Sequence, residues 1–199
     1  TKWTRDNLPL YAEMAAAIRE HGALASVELT HGGQNARPEF NTVPVKGPVE
    51  GTGRTGDKVL PMDESDMEHI ADAYAGAAEY WYRAGFDTVL VHAGHGWIFN
   101  QFLSPLINTR TDRYGGSLEN RMRFPLMVLK RMRDRIGPRP VLMIRLSGSE
   151  REPGGYTVRD IIKFLALAQD YVDMAEITSD GVTNMMASTY RPLGLNVEF

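Results

Sequence analysis

Two histidines three residues apart, His92 and His95, stand just past the apolar, β-branched run Thr88-Val89-Leu90-Val91 and within His92-Ala93-Gly94-His95-Gly96-Trp97. Two neutral imidazoles so placed can donate hydrogen bonds to one carbonyl oxygen, drawing charge out of a conjugated alkene so that hydride adds at its β-carbon. Residue types alone leave two other readings open. One imidazole can be an ordinary hydrogen-bonded histidine at a strand end, or the pair can share a divalent ion, although no third ligand follows at metal-site spacing.

Arg145 lies in the apolar strand pattern Met143-Ile144-Arg145-Leu146-Ser147. A charge there is costly unless it is paired or answers the charge of a ligand. Glu28 occupies a similar place in Ala25-Ser26-Val27-Glu28-Leu29, and an ion pair between the two across adjacent inward-facing strands is one reading of both. The run Thr30-His31-Gly32-Gly33-Gln34 ends that earlier strand with small residues that let backbone approach a ring system closely.

The elements that must position these residues alternate between helical and strand periodicity, which predicts a parallel sheet built from βα units. Asn7 and Pro9 open a helix to about Glu20, with Leu10, Met14, Ala17 and Ile18 on one face. Ala25 to Leu29 is a strand. The Gly-, Pro- and charge-rich stretch from Gly32 to about Leu60 is too long for a simple connection and reads as a functional or mobile loop. Asp63 caps the next helix with Asp66 at the third position, and Met67, Ile70, Tyr74, Ala77, Ala78 and Trp81 share its face. After the histidine strand, Ser117 opens a helix to about Ile136 with Pro125 in its second or third turn, where a kink is expected. Val141 to Leu146 is a strand, Thr157 caps a helix to about Asp170, and Met174 to Ile177 is a further strand ending at Thr178, Ser179 and Gly181.

The 199 residues suffice for one core, and 43% apolar with 24% charged residues is ordinary for a globular chain. A net charge of −3 gives no reason to expect nucleic acid or an anionic membrane as partner. No run approaches the roughly 20 apolar residues of a membrane span, and the start lacks a signal-peptide hydrophobic region, so a cytoplasmic location is expected. The absence of cysteine excludes a disulfide framework or thiolate cluster from this segment.

The histidine segment, continued through Gln101-Phe102-Leu103-Ser104-Pro105 and Thr111-Asp112-Arg113-Tyr114-Gly115-Gly116-Ser117, resembles the active-site strand and loop of the Old Yellow Enzyme family of FMN-dependent reductases. The alanine-glycine-histidine-glycine form of the pair is most similar to the enoate reductase and 2,4-dienoyl-CoA reductase branch. The likeness runs from about Asn7 to Val197. It implies an α/β fold, the (β/α)8 TIM barrel, whose eight strands usually take about 250 residues. The four strands visible here correspond to strands 2 to 5, so residues 1–199 read as a partial FMN-binding barrel domain truncated at both ends. The flavin phosphate site is then expected beyond Phe199, with weak FMN binding by the segment alone.

The activity implied is reduction of the C=C bond of α,β-unsaturated carbonyl or enoyl-CoA compounds by NAD(P)H through FMN. Any iron-sulfur cluster of that branch would belong to a longer parent chain, and a homo-oligomer is compatible with the reading. By the resemblance His92 and His95 hold the substrate carbonyl, and Arg145 faces the flavin N1 and C2 carbonyl. Glu28 stands where many members carry glutamine; a carboxylate near the ring only accepts and should lower the flavin potential. Trp97 stands where most members carry the tyrosine that protonates the α-carbon, a task unsuited to an indole. It therefore reads as a wall of the substrate pocket beside His31, and the proton is left to solvent, to a residue on an absent strand or to Tyr114. Asn108, Arg110, Asp112 and Arg113 read mainly as loop-fixing groups. The rival functions are a metal-dependent barrel hydrolase built on the histidine pair and a flavin-free, non-catalytic barrel fragment.

Overall fold

Helices and strands alternate through the computed structural model, which describes residues 4–40 and 43–179. In chain order the elements are α1 (Leu8–Glu20), β1 (Ser26–Leu29), β2 (Lys46–Gly47), β3 (Gly51–Thr52), β4 (Lys58–Pro61), α2 (Glu64–Arg83), β5 (Thr88–His92), α3 (Ile98–Leu103), α4 (Leu118–Ile136), β6 (Val141–Ser147), α5 (Val158–Ala168) and β7 (Met174–Thr178). Strands β1, β5, β6 and β7 form one parallel sheet in that order. The connections between them carry helices, as parallel strands require.

The register sorts the sheet residues into two faces. Glu28, Leu90, Met143 and Met174 lie in one row across the four strands, and His92, Arg145 and Glu176 lie in the next row of the same face. The opposite face presents Val89, Val91, Leu142, Ile144 and Leu146 to the helices, where they are buried with Phe99, Phe102, Phe124, Val128 and Leu129. Each such side chain contributes about 1.5–3 kcal/mol on burial. The helix-side layer therefore holds the sheet, and the polar row is left for the site.

Helix α2 begins where the Asp63-to-Asp66 spacing places it. Asp66 N donates to Asp63 Oδ1 at 2.8 Å and Asp63 N donates to Asp66 Oδ2 at 3.0 Å, a reciprocal capping box. Replacing Asp63 with alanine is expected to cost about 1 kcal/mol. Urea unfolding checks this, and an unchanged midpoint would show that the cap adds nothing. Helix α4 begins at the Ser117 cap and runs as one helix through Pro125 to Ile136, with Met122, Phe124, Val128, Leu129 and Met132 buried.

Three expectations are corrected. The stripe Leu10, Met14 and Ile18 of α1 is exposed; the helix packs instead through Ala15, Leu8 and Tyr11 against Ala84, Phe86 and Trp81. Ala15 is small enough to bring the helix close to that cluster. The stretch predicted as loop up to Leu60 contains a three-stranded sheet ordered β2-β4-β3, with Lys46 Nζ held by Asp66 Oδ1 and Oδ2 at 2.5 and 2.7 Å. β2 and β3 have two residues each and β4 four, too short to give a clear periodic signal. Finally, α3 follows directly on the histidine segment and is buried at every position. At six residues it is too short to show helical period, and its two polar residues, Asn100 and Gln101, are buried with the rest.

Candidate active site

His92 is the last residue of the central strand β5, and the chain beyond it turns sharply. Ala93 N donates to Arg145 O at 2.7 Å, extending the ladder by one bond. His95 then adopts φ of +52° and Gly96 +79°, both in the left-handed region. A non-glycine residue there costs free energy that its surroundings must offset. Gly96 N donates to Asn100 Oδ1 at 2.7 Å, while Gly96 O accepts from Gln101 Nε2 at 2.7 Å and from Asn35 Nδ2 at 2.9 Å. Gln101 also donates to Gly32 O at 2.9 Å and accepts from Gln34 N at 3.0 Å, tying the turn to the end of β1. Gly94 sits so close to β6 that a Cβ there would lie 3.0 Å from Ser147 Oγ.

This clamp fixes the pair in one arrangement. His92 Nδ1 lies 2.5 Å from Glu28 Oε1, and His92 Nε2 lies 3.0 Å from His95 Nδ1. Burial pulls the pKa of His92 down; Glu28 opposes this, while His95 and Arg145 add to it, so the net direction is below the ordinary imidazole value. Trp97 caps α3, and its ring stands 6.2 Å from the His92 ring at 78°, as an aromatic neighbour of the pair.

Arg145 is the register partner of His92. Its Nη1 donates to Glu28 Oε1 at 2.8 Å, so the ion pair between Glu28 and Arg145 exists. The strands are not adjacent, however. β5 runs between them, and the pair closes over Leu90. Glu176 on β7 was not anticipated: its Oε1 lies 3.0 Å from Arg145 Nε. The same alternation that marked Arg145 places Glu176 on the inner face, two residues beyond Met174, and that was the signal available. Glu176 first, then Glu28, raise the pKa of Arg145 against the effect of burial. Yet the contact is too oblique to satisfy Nε–H, which is shut off from solvent and makes no hydrogen bond among the described residues.

That orphaned donor fits a flavin. A buried N–H without an acceptor is costly, and the pyrimidine edge of FMN offers carbonyl oxygen and ring nitrogen acceptors. Glu28, with two carboxylate oxygens, can still accept from a flavin N–H while holding Arg145 and His92.

Other candidate residues lie elsewhere. His31 does not join the pair. Its Nδ1 accepts from Gly33 N at 3.0 Å, and its ring, whose pKa burial lowers, lines a separate cavity of about 310 Å³ with Lys46, Asp66 and His69. Gly33, which makes that bond, stands at φ +54° in the left-handed region. Tyr114 is buried in the helix-side core, away from the polar row. Asn108 donates to Phe102 O and Tyr114 O, both at 2.8 Å, and Arg110 binds Asp112, Pro48 O and Met62 O, all loop-fixing contacts. Gly181 lies outside the described residues. Among the described residues no group of three or more histidine, aspartate or glutamate side chains is arranged to hold a metal ion. No helix among them is long and apolar enough to cross a membrane.

Residues 1–190 match the NADH:flavin oxidoreductase / NADH oxidase family. An NADPH dehydrogenase of Geobacillus thermodenitrificans is 32% identical over 190 residues, covering 94% of this chain and 54% of that protein. Among solved structures, a 2-naphthoyl-CoA reductase in complex with 2-naphthoyl-CoA has a TM-score of 0.81 at 26% identity, over 89% of this chain and 29% of the other. Histamine dehydrogenase from Rhizobium sp. 4-9 has a TM-score of 0.81 at 29% identity, over 89% and 27%. The chain thus spans about half the length of the curated relatives it matches. Its four parallel strands with flanking helices are part of a TIM barrel, and the chain belongs to the NADH:flavin oxidoreductase family, that of Old Yellow Enzyme.

Proposed function

We propose that the protein to which this chain belongs is an FMN- and NAD(P)H-dependent oxidoreductase that reduces the C=C bond of α,β-unsaturated carbonyl compounds. One observation carries this reading: a hydrogen-bonded histidine pair at a strand end stands beside an arginine whose buried Nε–H, 3.0 Å from Glu176 Oε1, makes no aligned hydrogen bond. FMN, when bound, supplies two-electron transfer between NAD(P)H and an alkene.

The residues of this chain would divide the remaining work. Arg145 and Glu28 would hold the flavin, the first offering a donor and the second an acceptor. Arg145 would also place positive charge where the reduced ring is negative. The histidine pair would orient the substrate carbonyl, and Trp97 would wall the pocket and exclude water. Likeness to a 2-naphthoyl-CoA reductase supports a conjugated acyl thioester as one form of that carbonyl.

A second reading, oxidation of an amine, is favoured by the two carboxylates, Glu28 and Glu176, that face the single guanidinium of Arg145. Likeness to a histamine dehydrogenase agrees with it. The metal-hydrolase reading finds no such support, because both ring nitrogens of His92 are engaged by Glu28 and His95.

The test is product analysis on the full-length holoprotein. With NAD(P)H and 2-cyclohexenone, the saturated ketone is expected in step with cofactor oxidation. No saturated product, together with bleaching of the flavin by a primary amine, would establish the second reading instead.

A further inference from the structure

We propose that the cavity lined by His31 is a second ligand site, which takes a small uncharged ketone through a hydrogen bond from His31 Nε2. The site is separate from the histidine pair and stands whatever the flavin reduces.

One tautomer of His31 fits its surroundings. Gly33 N donates to Nδ1 at 3.0 Å, so Nδ1 holds a lone pair and Nε2 carries the hydrogen. Burial lowers the pKa of the ring, which favours the same neutral form. Nε2–H has no acceptor among the described residues, yet it is not sealed from solvent as the orphaned Nε–H of Arg145 is. The donor is therefore available to an occupant of the cavity that the ring lines.

The wall that carries His31 is fixed in advance. His31 O accepts from Ile98 N at 3.0 Å, Gly32 O accepts from Gln101 Nε2 at 2.9 Å, and Gln34 N donates to Gln101 Oε1 at 3.0 Å. Gly33 has φ of +54°, and a Cβ there would overlap Gln101 Oε1, so only glycine closes this turn. A ligand that meets a wall already ordered loses little affinity to ordering it.

The rest of the lining decides the kind of ligand. A volume of about 310 Å³ lies at the lower end of the range for small-molecule sites. Val43, Pro44, Val45, Met62 and Ile70 select an apolar body. Lys46 Nζ gives two of its three hydrogens to Asp66, at 2.5 and 2.7 Å, so its charge is answered within the wall. A carboxylate would be stripped of water there with no unpaired cation to offset the cost. His69, the other titratable ring in the lining, is exposed to water. Both oxygens of Asp66 are engaged, by Lys46 and by Asp63 N, so a donor on the ligand finds no free acceptor in that carboxylate. A ketone on a compact apolar body is uncharged and only accepts, and it meets each of these conditions.

The test is a titration of the full-length FMN-loaded protein with acetophenone, an aryl ketone without an alkene to reduce. Nitrogen-15 NMR of the histidines is expected to show His31 as the Nε2–H tautomer before ligand is added. Its Nε2 resonance should then shift and saturate, with half-saturation at about 1 mM or below. The methyl resonance of Met62, in the same lining, should move in step. Benzoate, the same body with a charge, is expected to bind about tenfold more weakly. His31→Phe keeps a ring and removes the donor, and the Met62 methyl should report about tenfold weaker binding of acetophenone. An Nδ1–H tautomer, no shift at His31 and Met62 up to the solubility limit of the ketone, benzoate binding as tightly as acetophenone, or equal affinity in His31→Phe overturns the proposal. A change in flavin absorbance without a shift at either residue places the ketone at the flavin alone and overturns it too. None of these outcomes bears on enone reduction, which is judged by the product from 2-cyclohexenone.

Discussion

Replacing both His92 and His95 with alanine in the full-length holoprotein is expected to lower turnover of an α,β-unsaturated ketone by about 10²-fold or more. The flavin should remain bound, because the substitutions leave the ion pair of Glu28 with Arg145 in place. Turnover and flavin absorbance measured on one sample therefore separate loss of chemistry from loss of cofactor. The two single variants should each lose nearly as much as the double. The two imidazoles are joined by one hydrogen bond, His92 Nε2 to His95 Nδ1 at 3.0 Å, so each holds the other in place and their losses are not additive. Unchanged turnover in the double variant would remove the histidine pair from the mechanism.

Phe124→Ala is expected to destabilise the protein by about 3–5 kcal/mol. Phe124 is fully buried in α4, with its ring centroid 4.3 Å from that of Phe102 and 6.1 Å from that of Phe99. Both partners lie on α3, and Phe99 in turn meets Tyr74 of α2 edge-on at 5.6 Å. Removing the ring opens a cavity in the layer that fixes α3 beneath the histidine turn. The effect should reach the site, because Asn100 and Gln101, the side chains that hold Gly96, are carried by the same six-residue helix. Urea unfolding gives the stability loss, and a raised KM at temperatures where the variant is folded gives its reach. A loss under 1 kcal/mol would mean that this aromatic layer does not hold the sheet.

Much of the fold was legible because its signals are local. The Asp63-to-Asp66 spacing and Ser117 cap marked helix starts, and hydrophobic period marked α2 and α4, since caps and periods are satisfied within a few residues of chain. Helix α3 escaped notice because it is six residues long and buried at every position, its polar Asn100 and Gln101 included, so no exposed face reveals its period. Asn100 and Gln101 escaped with it. Their role is to meet the backbone of a strained turn, and a turn at positive φ at His95 is not signalled by residue type.

The sequence by itself determined which residues are chemically expensive. A guanidinium in an apolar strand, a carboxylate at the corresponding place in another, and two imidazoles at a strand end all demand partners, and their alternation fixed the face they share. Only the tertiary structure decided who those partners are. Glu28 reaches past Leu90 to Arg145 and diagonally to His92, Glu176 closes on Arg145 from the far side, and His31 turns away to another cavity. The reason is physical: period along a strand is set by local backbone geometry, whereas the neighbour across the sheet depends on strand order and register, which are settled by packing over the whole molecule.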